Sequence, residues 1–404
     1  MPTLTRHART AVVCVPSAPQ RFRTLPAAFT LMPLAMVRTL APTPAVARGA
    51  VRGPAARESR SGERPLRAPT VARRSGRQRG RAFTTCARGP GGKSVGIIGT
   101  GAVGTAVASS LIHKNLVSTI RLYDLNVERN RGVTLDLEDE AFVSGTRCEH
   151  CESLTDLQSC DIVVITAGVK QKPDEPRTQL VGRNFAVLSS IMSQLAPLSP
   201  ETHLIIVSNP VDVLTQLVQG LCAEFGHSPA RVIGSGTYLD SNRLRVALST
   251  RLGVSVRSVH AYMLGEHGDT QVFARSQAHV GGCPLQQLPW AAGELDELET
   301  RVRRKAYDII QRKGETSHGV GEAVAAICSA ILRDTNEVLP VSNYVAKYDA
   351  VMGWPAVVGA AGVVRALMPL ALNSDEEAAI RASAASIRAT VASVAAQQAQ
   401  PVAR

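Results

Sequence analysis

The stretch "KSVGIIGTGAVGTAVASSLIHKNL", residues 93–116, constrains the chain more than any other. Ser94–Ile98 reads as a buried strand, Gly99, Gly101 and Gly104 follow in GxGxxG spacing, and an alanine-rich helix comes next. A second strand, "TIRLYD" (Thr119–Asp124), ends in an acid 25 residues after Gly99. A glycine triplet alone is weak evidence. Strand, triplet, helix, strand and acid together make a dinucleotide-binding unit. Gly99 permits the tight turn, Gly101 lets the backbone approach a pyrophosphate, and Gly104 lets helix and strand pack closely. The helix N-terminus favours the anion through its free N–H groups and its dipole. Asp124 would accept hydrogen bonds from ribose hydroxyls and repel a 2′-phosphate, so the cofactor read from these residues is NAD rather than NADP.

The strand–helix alternation continues through "DIVVITAG" (161–168), a helical pattern over 178–198, "HLIIVSNP" (203–210), a helix ending at Gly226, and the short strand "RVIGSG" (231–236). Such alternation predicts a doubly wound parallel sheet, with ligands at the carboxyl ends of its strands. After about Gly234 the pattern becomes mixed: a helix over 237–253, short strand-like pieces with glycine turns, two more helices and a closing helix over 374–394. Ser374 reads as the N-cap of that last helix, with acids in its first turn. The fold class expected is therefore α/β. An NAD-binding Rossmann domain spans residues 93–235, and an α+β substrate-binding domain spans 236–404. Residues 1–92 form an N-terminal extension.

The net charge of +12 would suggest nucleic acid or a membrane surface, but its distribution removes that reading. Residues 1–92 hold 17 arginines and no lysine against Glu58 and Glu63, a net of +15, which leaves −3 on residues 93–404. No nucleic-acid partner is expected for such a body. The extension is rich in Arg, Ala, Pro, Ser and Thr and poor in acids, as transit peptides of mitochondria or plastids are; an over-extended gene model or a disordered tail is the alternative. Its apolar piece, residues 25–37, is too short to span a bilayer, and no longer apolar run follows, so a soluble, non-membrane body is expected, either cytoplasmic or imported into an organelle. Eight cysteines without a dense framework suit a reducing compartment. Cys148, His150 and Cys151 in "CEHC" have no second ligand pair nearby, so they read as exposed residues around a short strand rather than as a metal site.

A nicotinamide enzyme needs a proton donor beside the hydride path. "GEHGDT" places His267 on a loop between glycines and acids, and histidine alone titrates near neutrality without perturbation. Asp240 and Arg243, three apart on a helix, share a face. They form either an ordinary surface ion pair or a functional pair, in which Asp240 orients a histidine and Arg243 clamps a carboxylate through its planar fork. Spacing leaves both open.

The motifs "ITAGVKQKPDEPR", "VSNPVDVLT", "GSGTYLDSNRLR", "GEHGDT", "KGETS" and "VLPVS…GWPAVVG", in this order after the glycine motif, resemble those of L-lactate dehydrogenases and their malate dehydrogenase relatives, over about residues 93–394. The resemblance implies residue roles. His267 is the acid/base, Asp240 the carboxylate that orients it, and Arg243 the bidentate clamp on the substrate carboxylate. Asn209 orients the substrate carbonyl and touches the cofactor, and Thr316 lines the substrate pocket. Arg177 closes with a mobile loop and polarises the carbonyl, and Lys170 lies near the cofactor phosphates. Gln171 stands where malate enzymes of the family carry arginine. Glutamine cannot neutralise a second carboxylate, so the resemblance implies pyruvate and lactate as substrates; the alternative is a malate or broad 2-hydroxy acid dehydrogenase. A homotetramer is also implied. Arg245 and His260 fall where bacterial-type relatives bind fructose 1,6-bisphosphate between subunits. "LDLEDEAF" (135–142) departs from the usual His-bearing segment, and the stretch between "VLPVS" and "GWPAVVG" looks short; both bear on subunit contacts rather than chemistry.

Overall fold

In a computed structural model, residues 92–169, 177–367 and 369–399 are described. The glycine-rich start produces β1 (Ser94–Ile98), α1 (Ala102–His113) and β2 (Thr119–Tyr123). Then come α2 (Val127–Glu140), β3 (Arg147–His150), β4 (Ile162–Ile165), α3 (Arg177–Leu195), β5 (His203–Ile206), α4 (Val211–Glu224) and β6 (Val232–Gly234). These six strands pair in parallel, in the spatial order β3-β2-β1-β4-β5-β6. The order reverses between β1 and β4, which is where a doubly wound sheet opens its ligand crevice.

Both faces of this sheet are covered, and the period-two alternation of its strands shows how. Val95, Ile97, Ile162, Val164 and Ile205 enter one core. Ile98, Val163, Ile165, Leu204 and Ile206 enter the other. Each fully buried Ile or Leu contributes roughly 1.5–3 kcal/mol, so a sheet buried on two sides anchors everything hung on its ends.

The second half begins with α5 (Tyr238–Leu252), followed by the two-residue strands β7 (Val259–His260), β8 (Met263–Leu264), β9 (Val272–Phe273), β10 (His279–Val280) and β11 (Cys283–Pro284). Helices α6 (Glu294–Lys313) and α7 (His318–Leu332) come next, then β12 (Glu337–Val345), β13 (Ala350–Gly359), β14 (Gly362–Ala366) and α8 (Ser374–Ala399). The three late strands do not make a separate sheet. β12 joins β6 antiparallel through the single pair Ser342↔Gly234, so the main sheet runs on to nine strands. The contact is tight: a Cβ on Gly234 would lie 2.6 Å from the Ser342 side chain. Helices α7 and α1 also pack closely, since a Cβ on Gly321 would lie 2.5 Å from the Ala106 carbonyl oxygen.

Two local readings are corrected. The cap of α8 is Asn373, not Ser374: the Asn373 side chain accepts from Glu376 N–H at 2.9 Å, and the Glu376 carboxylate accepts from Asn373 N–H at 3.1 Å. This reciprocal pair satisfies two donors at once, which a lone serine does not. Cys148 and Cys151 are buried, not exposed, at 5% accessibility each. They enter opposite cores, one on each face of the sheet, so they cannot grip one ion together. Burial pushes their thiols up to about 11 and about 12, away from thiolate chemistry. Among the described residues no group of three or more His, Cys, Asp or Glu could hold a metal ion, and no helix is long and apolar enough to cross a membrane.

Candidate active site

Two clefts open beyond the carboxyl ends of the strands. The larger, about 660 Å³, is lined by Gly99, Gly101, Asp124, Leu125, Arg129 and Thr166 among others. Gly99 has φ +97°, and its added Cβ would meet the Ala167 backbone at 2.7 Å, so the turn needs glycine. A Cβ on Gly104 would lie 1.9 Å from the Gly99 carbonyl oxygen; this residue lets the helix sit on the turn and does not line the cleft. Gly101 differs from both. Nothing lies within 4 Å of its would-be Cβ, and it caps α1 without a side-chain hydrogen bond. The first N–H groups of α1 therefore face an open cradle where a side chain would otherwise stand, and this fits a pyrophosphate.

Asp124 fixes the same turn from the other side. Its Oδ2 accepts from Thr100 N–H at 2.7 Å and its Oδ1 from Asn126 N–H at 2.9 Å. Oδ2 also accepts from the Thr100 hydroxyl at 3.3 Å, so it is Oδ1 that keeps an acceptor position for hydroxyl groups in the cleft.

The second cleft, about 500 Å³, is lined by Asn209, Asp240, Arg243, His267, Asp269 and Tyr307 among others. Four segments distant in sequence meet here, one of them α6, which brings Tyr307. Asn209 follows β5. Asp240 and Arg243 come from the first turns of α5, and His267 from the loop between β8 and β9. His267 Nδ1 lies 2.6 Å from Asp240 Oδ2, and Arg243 donates to Asp240 Oδ1 at 3.1 Å. Asp240 is 3% exposed and Arg243 9% in their side chains, which rules out a solvated surface pair. The carboxylate thus holds an imidazole with one oxygen and a guanidinium with the other.

Burial by itself would raise the Asp240 carboxyl, but the facing His267 and Arg243 charges outweigh it and the pKa falls. Burial would likewise lower His267, yet the Asp240 carboxylate, helped by Asp212, outweighs it and the imidazole pKa is raised. With Nδ1 committed to Asp240, Nε2 is left for the cleft, where the ring keeps 28% exposure. A histidine held this way can give or take a proton at one defined atom.

Two buried residues outside the motif reading complete the frame. Asp212, at the start of α4, accepts His267 N–H at 2.6 Å. Asn184, on α3, accepts Val169 N–H at 2.7 Å and donates to the Asn209 carbonyl at 2.8 Å, tying the root of the segment after residue 169 to the Asn209 turn. Asp212 carried one sequence signal, an acid inside the apolar run "VDVLTQLV".

The other predicted residues divide as follows. Thr316 is half-buried in the turn between α6 and α7 and is not on the wall of the second cleft. Lys170 and Gln171 lie outside the described residues, and of Arg177 only its place at the start of α3 is described. Arg245 donates from Nε to the Ala261 carbonyl at 3.0 Å and lies over the Tyr262 ring. His260, exposed, stacks on His279 with centroids 4.7 Å apart; slight burial and the neighbouring His279 and Arg245 charges lower its pKa.

Comparison with known proteins gives a consistent result. The profile of the lactate/malate dehydrogenase NAD binding domain matches residues 93–234, and that of the lactate/malate dehydrogenase alpha/beta C-terminal domain matches 237–398. The chain is 42% identical over 286 residues to L-lactate dehydrogenase A of Rhizopus oryzae, covering 70% of this chain and 88% of that protein. It is 40% identical over 300 residues to L-lactate dehydrogenase of Limosilactobacillus reuteri, covering 72% and 92% respectively. The crystal structure of minor L-lactate dehydrogenase from Enterococcus mundtii in its ligands-bound form superimposes with a TM-score of 0.71 at 34% identity, covering 75% of this chain and 98% of that one.

Proposed function

Since the chain belongs to the lactate/malate dehydrogenase family, we propose that His267 is the acid/base of its reaction, Asp240 its orienting carboxylate and Arg243 the clamp on the substrate carboxylate. The reaction itself is the NAD-dependent interconversion of pyruvate and L-lactate. The observation that carries the assignment is the Asp240 bridge, 2.6 Å to His267 and 3.1 Å to Arg243, at the wall of one cleft.

Bound NAD supplies and accepts the hydride. This chain's residues do the rest. Arg243 binds the carboxylate of pyruvate, which sets the C2 carbonyl toward His267. Imidazolium His267 donates its Nε2 proton to the carbonyl oxygen, and in the reverse direction takes the hydroxyl proton of lactate. Asp240 stabilises the charged ring and keeps the proton-bearing nitrogen aimed at the cleft. Asn209 helps to orient the carbonyl and touches the cofactor. Gly99, Gly101 and Asp124 cradle NAD, Gly104 lets α1 sit against their turn, and Lys170 serves the phosphates. Arg177 adds a cation to the carbonyl when its segment closes, where exclusion of water strengthens every charge.

Gln171 sets the substrate. It offers no charge to the second carboxylate of oxaloacetate, and a buried unpaired carboxylate costs several kcal/mol. NADH oxidation measured with pyruvate and with oxaloacetate tests this: kcat/KM is expected to favour pyruvate by orders of magnitude, and Gln171→Arg to move preference toward oxaloacetate. A wild-type preference for oxaloacetate overturns the assignment.

Residues 93–235 form the cofactor domain, which also lends Gln171, Arg177 and Asn209 to the substrate, and 236–404 form the substrate domain that carries Asp240, Arg243 and His267. The assembly we propose is a homotetramer, checked by its mass in solution. Arg245 supplies a cation and His260 an imidazole that a bound phosphate would help to protonate, for fructose 1,6-bisphosphate between subunits; titrating that compound at subsaturating pyruvate should raise the apparent affinity, and no change removes the proposal. The arginine-rich residues 1–92 act as an import signal to a mitochondrion or plastid, tested by the N-terminal sequence of the mature protein; an uncleaved chain in the cytoplasm contradicts it.

A further inference from the structure

We infer that Asp212 is a positioning residue for this reaction: its carboxylate fixes the backbone of His267 to the start of α4, directly after the bend that carries Asn209. The inference rests on the reading of His267 as acid/base and goes beyond it.

Three successive N–H groups of the loop around His267 are bound, each by a different element. Gly265 N–H donates to the Gly353 carbonyl in β13 at 3.0 Å. Glu266 N–H donates to the Ser383 hydroxyl in α8 at 2.9 Å. His267 N–H donates to Asp212 Oδ2 in α4 at 2.6 Å. Only the third tie uses a charged acceptor, and only it leads to the other wall of the site, since Asp212 lies three residues after Asn209, in the first turn of α4. The second oxygen of Asp212 accepts from the Ser342 hydroxyl at 2.6 Å. Ser342 sits opposite both Gly234 and Gly353 in the sheet. The path from β12 through Asp212 to His267 therefore runs beside the Gly353–Gly265 pair, and the two together set the height of the imidazole over the cleft.

Hydrogen bonding alone does not call for a carboxylate here. Asp212 is 1% exposed, with Val211, Val213 and Leu214 around it also buried. A buried charge in such surroundings is costly unless something near it gains from the charge. The charged groups acting on His267 are Asp240 and Arg243 from α5 and Asp212 from α4; Asp269 of its own loop and Arg303 of α6 stand on the same cleft wall, and Glu266 faces Asp212. Burial pushes the Asp212 carboxyl up to about 6, while Ser342, the His267 N–H and the imidazole charge hold it from rising further. Near neutrality it is an anion placed to favour the protonated ring. Asp240 acts on the ring through Nδ1, and Asp212 acts through the backbone and through space.

The test compares Asp212→Asn, which keeps an acceptor for the His267 N–H and removes the charge, with Ser342→Ala and with His267→Asn as reference. NADH binding reports folding, and kcat/KM for pyruvate is followed from about pH 5 to about pH 9. For Asp212→Asn the expected result is unchanged NADH affinity and a kcat/KM lower by ~10–100-fold, the range for misplaced catalytic groups. The limb on which His267 loses its proton should move to lower pH, and Ser342→Ala should shift it in the same direction by less. An unmoved limb in Asp212→Asn overturns the inference, whether or not the rate falls, because a purely structural role would leave it in place. If Asp212→Asn does not fold, the limb of Ser342→Ala decides in the same way. If His267→Asn keeps wild-type activity, the underlying reading fails instead, whatever Asp212 does.

Discussion

The two clefts are built on different principles. The cofactor cleft is made of backbone: a glycine turn, a helix N-terminus and one acid, all within Gly99–Asp124. The catalytic cleft is made of buried charge: Asp240, Arg243, His267 and Asp212 come from three separate parts of the chain and meet at distances of 2.6–3.1 Å. A local unit binds well wherever its strand–turn–helix is formed. A constellation of charges exists only when the whole sheet holds its parts in place. The first should therefore tolerate changes elsewhere and fail at single glycines, and the second should fail in rate while leaving cofactor binding intact.

The largest expected effect separates them most cleanly. His267→Asn removes the proton donor, so kcat with pyruvate should fall by ~10³-fold, within the range for general acid–base groups, with NADH affinity unchanged by fluorescence titration. Loss of NADH binding in parallel would show that the clefts are not independent.

The complementary change is Gly101→Val. The backbone there is extended and nothing lies within 4 Å, so the fold accepts the side chain while the cradle does not. NADH affinity should fall ~100-fold, the equivalent of one or two lost charge-assisted hydrogen bonds, with kcat at saturating NADH close to wild type. A protein that binds NADH normally after this change would show that the pyrophosphate lies elsewhere.

The smallest effect concerns the acid of the first cleft. Asp124→Asn retains an acceptor for Thr100 N–H and removes the charge that repels a 2′-phosphate. The preference for NADH over NADPH should narrow by ~10-fold, about 1.4 kcal/mol for one solvent-facing charge. An unchanged ratio of the two kcat/KM values would shift cofactor choice to another residue.

This contrast also explains what could be read from the sequence. The cofactor turn was legible because all its parts are adjacent, and the parallel strands because both their faces are apolar. His267, Asp240 and Arg243 were legible as residue types in motifs, but whether Asp240 and Arg243 formed a solvated pair depended on burial, which spacing does not report. Asp212 was overlooked because its partner is a backbone N–H 55 residues away, and an acid in the first turn of a helix otherwise reads as a dipole partner. The attachment of β12–β14 to the main sheet rests on one pair, Ser342↔Gly234, that no local pattern announces. "CEHC" suggested exposure because two polar residues stand between its cysteines, whereas the two cysteines enter the cores on opposite faces of the sheet.

The account turns on a single proton held by His267 between Asp240 and the substrate. The direct measurement is kcat/KM for pyruvate reduction across neutral pH in the wild-type protein. Asp240 and Asp212 raise the imidazole above its ordinary 6.5, and the protonated form is the reactive one. The profile should therefore stay level through pH 6.5 and fall about tenfold per pH unit, the slope for loss of one proton, only at some pH above it, with lactate oxidation rising over the same limb. A pyruvate profile with no falling alkaline limb at all, or one that falls already below pH 6.5, would contradict the assignment.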